Sequence, residues 1–305
     1  MDQILSMRVF ARVVEAGTFT KAAASLDMPK GTVTRLVQHL EERLRVKLLN
    51  RTTRRVTVTP DGAAYYERTT RLLNDLDDIE ASMTNAQANP SGRLRVDVGS
   101  SVARLLIIPA LSTFYQRYPD IQLDLGVSDR PVDLISDNVD CVIRAGELVE
   151  QSLVARRIGN LAFVTVASPD YLKRHGVPQH PSDLENGGHT TVNYFSARTG
   201  RPFPHEFVRD GETIELTGRY KVSVNESNAH IASVLAGLGI SQSVRFTVAP
   251  YLASGELVQV LADWTRAPLP IYVVYPPNRH LSAKVRAFVD WAAELFARHP
   301  HLQGA

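Results

Sequence analysis

The sequence predicts an α/β chain preceded by an all-α, winged N-terminal domain, and three observations carry that prediction. Residues 17–62 hold two amphipathic helices separated by a tight turn and followed by two short alternating segments. Residues 60–88 hold an apolar heptad, and from Arg93 onward strand and helix patterns alternate. Three parts follow: residues 1–59, a long linker helix over 60–89, and a two-lobed α/β domain over 90–305. In the last, lobe I takes about 90–160 and 268–305, and lobe II about 161–267.

Phe10, Val13 and Val14 lie at helical spacing, and Gly17 can adopt the left-handed conformation that stops a helix. Thr18 can cap the next one. That second helix is short, with Phe19, Ala22, Ala23 and Leu26 on one face, and its small alanines let another helix approach closely. Asp27-Met28-Pro29 makes the turn. From Lys30 the positions Val33, Leu36, Val37, Leu40 and Leu44 resume a 3.6-residue period, leaving Lys30, Thr32, Thr34, Arg35 and Gln38 polar. Two helices joined this way, the second with short polar and cationic groups at its start, match a helix-turn-helix that sets its second helix in a DNA major groove.

"KLLNRTTRRVTVT" then alternates apolar and polar residues about a Thr-Thr-Arg-Arg tip, which predicts a two-stranded wing. Arg51, Arg54 and Arg55 would meet phosphates or a minor groove, contacts that supply affinity and register more than sequence choice. Up to residue 60 there are 11 Lys+Arg against 5 Asp+Glu, a net of +6, whereas the whole chain is +2. The remaining 245 residues therefore sum to −4, and positive charge is concentrated where DNA would lie.

Thr59-Pro60-Asp61 is a helix start: a capping hydroxyl, a proline in the first turn and an acid near the positive end of the dipole. The helix is expected to run to about Ala88. Tyr65, Leu72, Ile79 and Ala86 fall seven apart, with Thr69, Leu76 and Met83 interleaved. Such a seam needs a partner, either its own domain or a second copy; no obvious domain core lies nearby in sequence, so a parallel or antiparallel pairing with a second copy is expected through Tyr65, Leu72, Leu76, Ile79 and Met83. "ANPSG" then breaks the helix.

Beyond it, "LRVDVGS", "IQLDLGV" and "DCVIRAG" read as strands, with a helix at "ARLLIIPALSTFYQRYP" and a short one at "PVDLISDN". A second unit runs from "LAFVTVAS" to Ala253, and "LPIYVVYPP" with a final helix from Leu281 to about Arg298 completes the first. This pattern predicts a mostly parallel sheet with helices on its faces. Ligands of open α/β sheets bind beyond the carboxyl ends of strands, at helix N-termini. Gly99-Ser100-Ser101 stands there, Asn225-Glu226-Ser227 corresponds to it in the second unit, and Asn193 and Phe195 end a second-lobe strand. Arg144 either supplies a fixed positive charge for a carboxylate or pairs with Glu147 or Asp140.

Composition narrows the alternatives. No run approaches the ~18 apolar residues of a membrane span, and Asp2, Arg8 and Arg12 interrupt any signal-peptide pattern, so a cytoplasmic protein is expected. The single cysteine, Cys141, lies in an apolar run and is expected to be a buried, inert thiol. The sequence contains no G-x-S-x-G, phosphate-binding loop or H-E-x-x-H motif. Gly237-Leu238-Gly239 is only a fragment of a dinucleotide fingerprint, and the nine histidines are scattered apart from His299 and His301. Neither an enzyme nor a cofactor or metal is expected. A free-standing solute-binding protein would fit residues 93–300 but would leave the winged reader unexplained.

"AGTFTKAAASL", followed by "VTRLVQHLEERLRVKLLNRTTRRVTVTPDG", is similar to the N-terminal signature of the LysR-type transcriptional regulators, and the resemblance runs the length of the chain. It implies a winged helix-turn-helix that binds double-stranded DNA, a dimerising linker helix and a periplasmic-binding-protein-like effector domain. A small organic acid or aromatic effector would sit between the lobes, with Ser100 and Ser101 among its contacts and Arg144, Asn193, Phe195 and Asn225 as further candidates. The resemblance also implies a homodimer that assembles into tetramers, with the transcription machinery as a further partner. Where the family carries Ser-Gln-Pro-Ala, this chain has Pro29, Lys30, Gly31 and Thr32. Pro29 suits a first helical turn, leaving Met28 as a poor cap, and Lys30 and Thr32 would make base preference the chain's own. Thr32, Thr34 and Arg35 are the expected base-edge contacts, with Lys30, Gln38, Thr18 and Thr20 beside them.

Overall fold

The computed structural model describes residues 2–51, 56–83, 89–130, 134, 139–146, 153–277 and 281–303. Two compact units divide the chain, Met1–Ala88 and Asn89–Ala305.

In the first unit, α1 (Gln3–Ala16) is capped by Asp2, whose carboxylate accepts the N–H groups of Ile4 and Leu5, and it ends at Gly17 with φ of 66°. The hydroxyl of Thr18 caps α2 (Phe19–Ser25) by accepting from Lys21 N. Asp27, with φ of 49°, turns the chain into α3 (Lys30–Leu44). Val9, Phe10, Val13, Ala22, Ala23, Val33, Leu36, Val37 and Leu40 form one core, closed by Leu48 and Leu49. The wing is β1 (Leu49–Arg51) against β2 (Val56–Val58), antiparallel, with Leu49 opposite Val58. The helix α4 runs over Pro60–Met83, and the predicted continuation to Ala88 lies outside the described residues.

The second unit opens with β3 (Gly92–Val98). A helical stretch follows, α5 (Ser100–Val102), a π turn at Ala103–Ile107 and α6 (Ile108–Arg117), then β4 (Ile121–Val127) and β5 (Cys141–Ala145). After β6 (Val154–Leu161) the chain crosses to a second lobe of β7 (Phe163–Ala167), α7 (Pro169–His175), α8 (Asp183–Asn186), β8 (Thr191–Tyr194), β9 (His205–Arg209) and β10 (Glu212–Leu216). It continues through β11 (Tyr220–Val224), α9 (Ser227–Leu235), β12 (Ser241–Val244), α10 (Arg245–Ser254) and β13 (Val258–Gln259). β14 (Leu269–Tyr275) and α11 (Ala283–Ala297) return to the first.

The first-lobe sheet has the order β4-β3-β5-β14-β6. It is mixed rather than mostly parallel: β3 pairs in parallel with β4 and β5, while β14 is antiparallel to both β5 and β6. The reason is the crossing. β6 leaves for the second lobe and β14 comes back from it, so the two must run in opposite directions. Phe114, Phe288 and Trp291 pack edge and tilted at 5.1–5.8 Å between α6 and α11, in a core continuous with Leu94, Val96, Ile143 and Val273. The second lobe carries separate cores, one around Tyr171, Phe207 and Trp264, the other around Val164, Val192 and Val234. The short helix predicted at residues 131–138 lies outside the described residues except for Leu134.

Candidate functional site

One face of α3 is committed to the core and the other is open. Val33, Leu36, Val37 and Leu40 are buried, whereas Lys30, Gly31, Arg35, Gln38 and His39 are exposed. Thr34 is half-buried, and its hydroxyl donates back to the carbonyl of Lys30 at 2.9 Å, which leaves oxygen lone pairs for an outside donor. Thr32 is also half-buried, at the flank of the exposed face rather than its centre. Thr18 is engaged in capping α2, while Thr20 is exposed. Pro29 is not in the first helical turn as expected; it is itself the cap residue, at φ −59° and ψ 132°, and no side chain caps α3. Its extended conformation is the one a proline and a helix cap both favour. Arg51 ends β1 with its side chain outside the described ones, and Arg54 and Arg55 lie outside the described residues.

Sequence reasoning missed Glu41. Its side chain is buried on the inner face of α3, where Oε1 accepts the N–H groups of Leu48 and Leu49 at 2.9 and 3.1 Å. Oε2 accepts from Lys47 Nζ at 3.0 Å. Burial pushes this carboxyl up, but the Lys47 hydrogen bond, the two backbone N–H groups and the Lys47 charge together hold it below its ordinary value. The visible signal was a charge at a helical position between Val37 and Leu44, on the core side of the wheel. Gly62 has a second role that sequence did not show: a Cβ there would overlap the carbonyl oxygen of Leu48 and stand 2.8 Å from its carbon. Thr59 closes the same corner, donating its hydroxyl to Lys47 O at 2.7 Å and accepting from Gly62 N at 2.9 Å.

The expected intermolecular seam divides. Tyr65 packs edge-on against Phe10 at 5.6 Å, Thr69 is buried, and Leu73 joins Met7 and Ala11. The first turns of α4 therefore seal their own domain, because α1 supplies the apolar surface that the sequence reading took to be absent. Farther along, Leu72 is 54% exposed and Leu76 half-buried. Ile79 and Met83 lie on α4 with side chains outside the described ones.

In the second unit, Ser100 and Ser101 sit buried at the start of α5, after β3. Their N–H groups reach Asp129 Oδ1 at 2.7 Å and Ser227 Oγ at 3.1 Å. Ser227 N donates to Asp129 Oδ2 at 2.5 Å, so one carboxylate joins the starts of α5 and α9 across the lobes. Glu226 caps α9 through Asn228 N and Ala229 N at 3.1 and 2.7 Å, and also accepts the hydroxyl of Ser100. Burial raises the Glu226 carboxyl, and those hydrogen bonds bring it below its ordinary value. Tyr194 donates its hydroxyl to Asn225 O at 3.1 Å; burial, then the charge of nearby Asp129, push its phenol well above the usual range.

Arg144 pairs with Asp97, a partner not foreseen, and donates further to the carbonyls of Ile143 and Arg130 at 3.0 and 3.3 Å. Asn225 lends the cleft its carbonyl, and Phe195 is half-buried, bridged to Pro202. Asn193 does not belong to this group. It is fully buried, giving Nδ2 to Thr217 O at 2.9 Å and meeting His205 Nε2 at 3.1 Å. The alternation of β8 is the cause: Asn193 and Tyr194 point to opposite faces, and Tyr194 takes the cleft. Asp129 and Tyr194 are thus cleft residues beyond the predicted set, while Glu226 and Ser227 belong to the Asn225-Glu226-Ser227 turn that the sequence pointed to. An acid two residues after a first-lobe strand was the available signal for Asp129.

Cys141 is buried, and desolvation, with the nearby Asp140, pushes its thiol well above the ordinary value. Among the described residues no cluster of His, Cys, Asp and Glu has metal-binding geometry, and no helix is long and apolar enough to cross a membrane.

Comparison with known proteins agrees with both units. Residues 4–63 match the family described as "Bacterial regulatory helix-turn-helix protein, lysR family", and residues 87–297 match "LysR substrate binding domain". An HTH-type transcriptional repressor of Pseudomonas aeruginosa is 41% identical over 303 residues, covering 99% of this chain and 95% of that protein. The transcriptional activator AaeR of Escherichia coli is 31% identical, covering 97% and 94%. The solved structure of CrgA, a LysR-type regulator from Neisseria meningitidis, superposes with a TM-score of 0.60 at 33% identity, covering 95% of this chain and 97% of that one. The full-length virulence activator AphB of Vibrio cholerae gives 0.58 at 30% identity, covering 96% and 99%. Residues 4–63 and 87–297 together thus make the chain a member of the LysR family, a DNA-binding transcriptional regulator with an effector-binding domain and not an enzyme.

Proposed function

We propose that this regulator is ligand-responsive, with sequence read by α3 and the signal received between the two lobes. The observation that carries the reading is the division of α3: an apolar face locked into the core beside a solvent face bearing Lys30, Thr34, Arg35 and Gln38. Arg35 is long enough to take a guanine edge in a bidentate manner, and the uncapped start of α3 offers N–H groups to a phosphate. Arg51, Arg54 and Arg55 of the wing supply backbone contacts on this reading.

Two copies pair through the part of α4 that its own core leaves open, around Leu72 and Leu76, and two α3 helices then enter successive major grooves. Effector domains join these dimers into tetramers that bend the DNA. A small molecule bound between the lobes shifts the equilibrium between two assemblies by its differential affinity for them. Relatives are named both repressor and activator.

Footprinting of DNA upstream of the chain's own gene tests this reading. Protection of two half-sites about one helical turn, or a multiple of it, apart supports paired readers. Protection of a single half-site at every concentration contradicts them.

A further inference from the structure

The cleft already contains the anion that its geometry invites. The backbone N–H groups at the starts of α5 and α9 converge there, and both are taken by Asp129, one oxygen to each lobe, at 2.7 and 2.5 Å. The next N–H groups of α9 are taken by Glu226. Arg144, the cation nearest this group in the expected set, is neutralised by Asp97. An incoming carboxylate would therefore find no vacant helix terminus and would face three resident carboxylates. The groups left unpaired are different in kind. Ser101 Oγ and Arg144 Nε are buried with no hydrogen-bond partner among the described residues, and Ser101 as a whole is only 5% exposed. Buried orphans of this kind are costly unless something satisfies them.

We infer that Asp129 is the specificity-determining residue of this cleft: it fills the interlobe anion position itself, excludes carboxylate effectors, and leaves the site to uncharged ligands offering an acceptor to Ser101 and Arg144. This rests on the cleft being the effector site, and it replaces the organic acid suggested by resemblance with a neutral class. The exclusion works by occupancy and by like charge together, the usual way a site rejects one ligand class while keeping another. Asp129 also bonds a helix start of each lobe, so it holds the lobes against one another.

Removing the resident carboxylate should let an external one in. The thermal midpoint of the full chain is measured in sodium acetate and in sodium benzoate against sodium chloride at equal ionic strength, for wild type, Asp129→Ala and Asp129→Ser. Asp129→Ser keeps one acceptor for a helix N–H and serves if the alanine variant does not fold. The expected result is a carboxylate-specific rise of about 3 °C in the variant and none in wild type. An equal rise in wild type, or no rise beyond chloride in a folded variant, would overturn the proposal. The measurement uses neither DNA nor an effector, so failure of the regulatory reading would show as lost operator binding and leave this result standing.

Discussion

The buried carboxylate of Glu41 accepts the backbone N–H of Leu48 at 2.9 Å, which ties the inner face of the reader helix to the entry of the wing. One side chain thereby joins the two elements that the proposed reading sets against DNA. Glu41→Ala leaves the N–H groups of Leu48 and Leu49 buried without partners and is expected to cost about 2–3 kcal/mol in chemical denaturation of the N-terminal transition. The pH dependence has a defined sign. Folding lowers this carboxyl below its unfolded value, so its contribution is complete above the ordinary carboxylate range and is lost as pH falls through the folded value. In the alanine variant that part of the acid sensitivity should vanish.

Gly62 makes a sharper test of the same corner. In an exposed helix, alanine would stabilise by about 1 kcal/mol over glycine. Here its Cβ would overlap the Leu48 carbonyl, so Gly62→Ala should instead destabilise by about 1–3 kcal/mol and weaken DNA binding. A more stable variant would show that the corner relaxes freely.

Arg35 and Arg54 are expected to do different work on DNA. Arg35→Ala should cost about 1–3 kcal/mol on the preferred site and relax base choice at one position. Arg54→Ala should weaken all sequences alike and reduce the salt slope by about 1. Competition against a panel of single-base operator variants, repeated across salt, separates the two. Identical profiles would refute the division of labour.

The seam of α4 is expected to split by function. Leu72→Asp, at a 54% exposed position, should shift sedimentation toward monomer while leaving the folding midpoint nearly unchanged. Tyr65→Ala should lower N-terminal stability by about 2–4 kcal/mol, because it removes the ring stacked edge-on against Phe10. If Leu72→Asp remains fully dimeric, the pairing surface lies elsewhere.

His205 and His230 are expected to set the acid limit of the effector domain. Burial, with His230 and then Arg266 nearby, depresses His205 to about 3, and burial lowers His230 despite a hydrogen bond with the carbonyl of Val192. Folding thus keeps both neutral where the unfolded chain would protonate them. Stability should be undiminished above the unfolded histidine value and fall by about 1.4 kcal/mol per pH unit per histidine below it. Asparagine at position 205 should flatten that fall in urea titrations between pH 6.5 and 4.

What was legible in the sequence was whatever depends on local spacing. Gly17, Thr18 and the period of Val33 through Leu40 specify the reader because helix stops, caps and faces are properties of neighbouring residues. The strands from Leu94 onward were equally plain. Partners from afar were not. Asp129 reaches residues 29 and 98 positions away, and Arg144 pairs with Asp97, 47 positions back. Tyr65 read as half of an intermolecular seam because a heptad cannot say whether its partner is another chain or an earlier helix of its own. The direction of β14 was invisible for the same reason, since it depends on where the chain had been.

The central claim is that the outer face of α3 reads sequence. Fluorescence anisotropy of the full chain, with DNA from upstream of its own gene and a scrambled duplex of equal length across a salt series, tests it most directly. The account predicts tight binding to the natural duplex that persists near physiological salt, with the scrambled one at least ~1,000-fold weaker. Equal affinities that decline together with salt would mean that the contacts are to phosphates alone, and would contradict it.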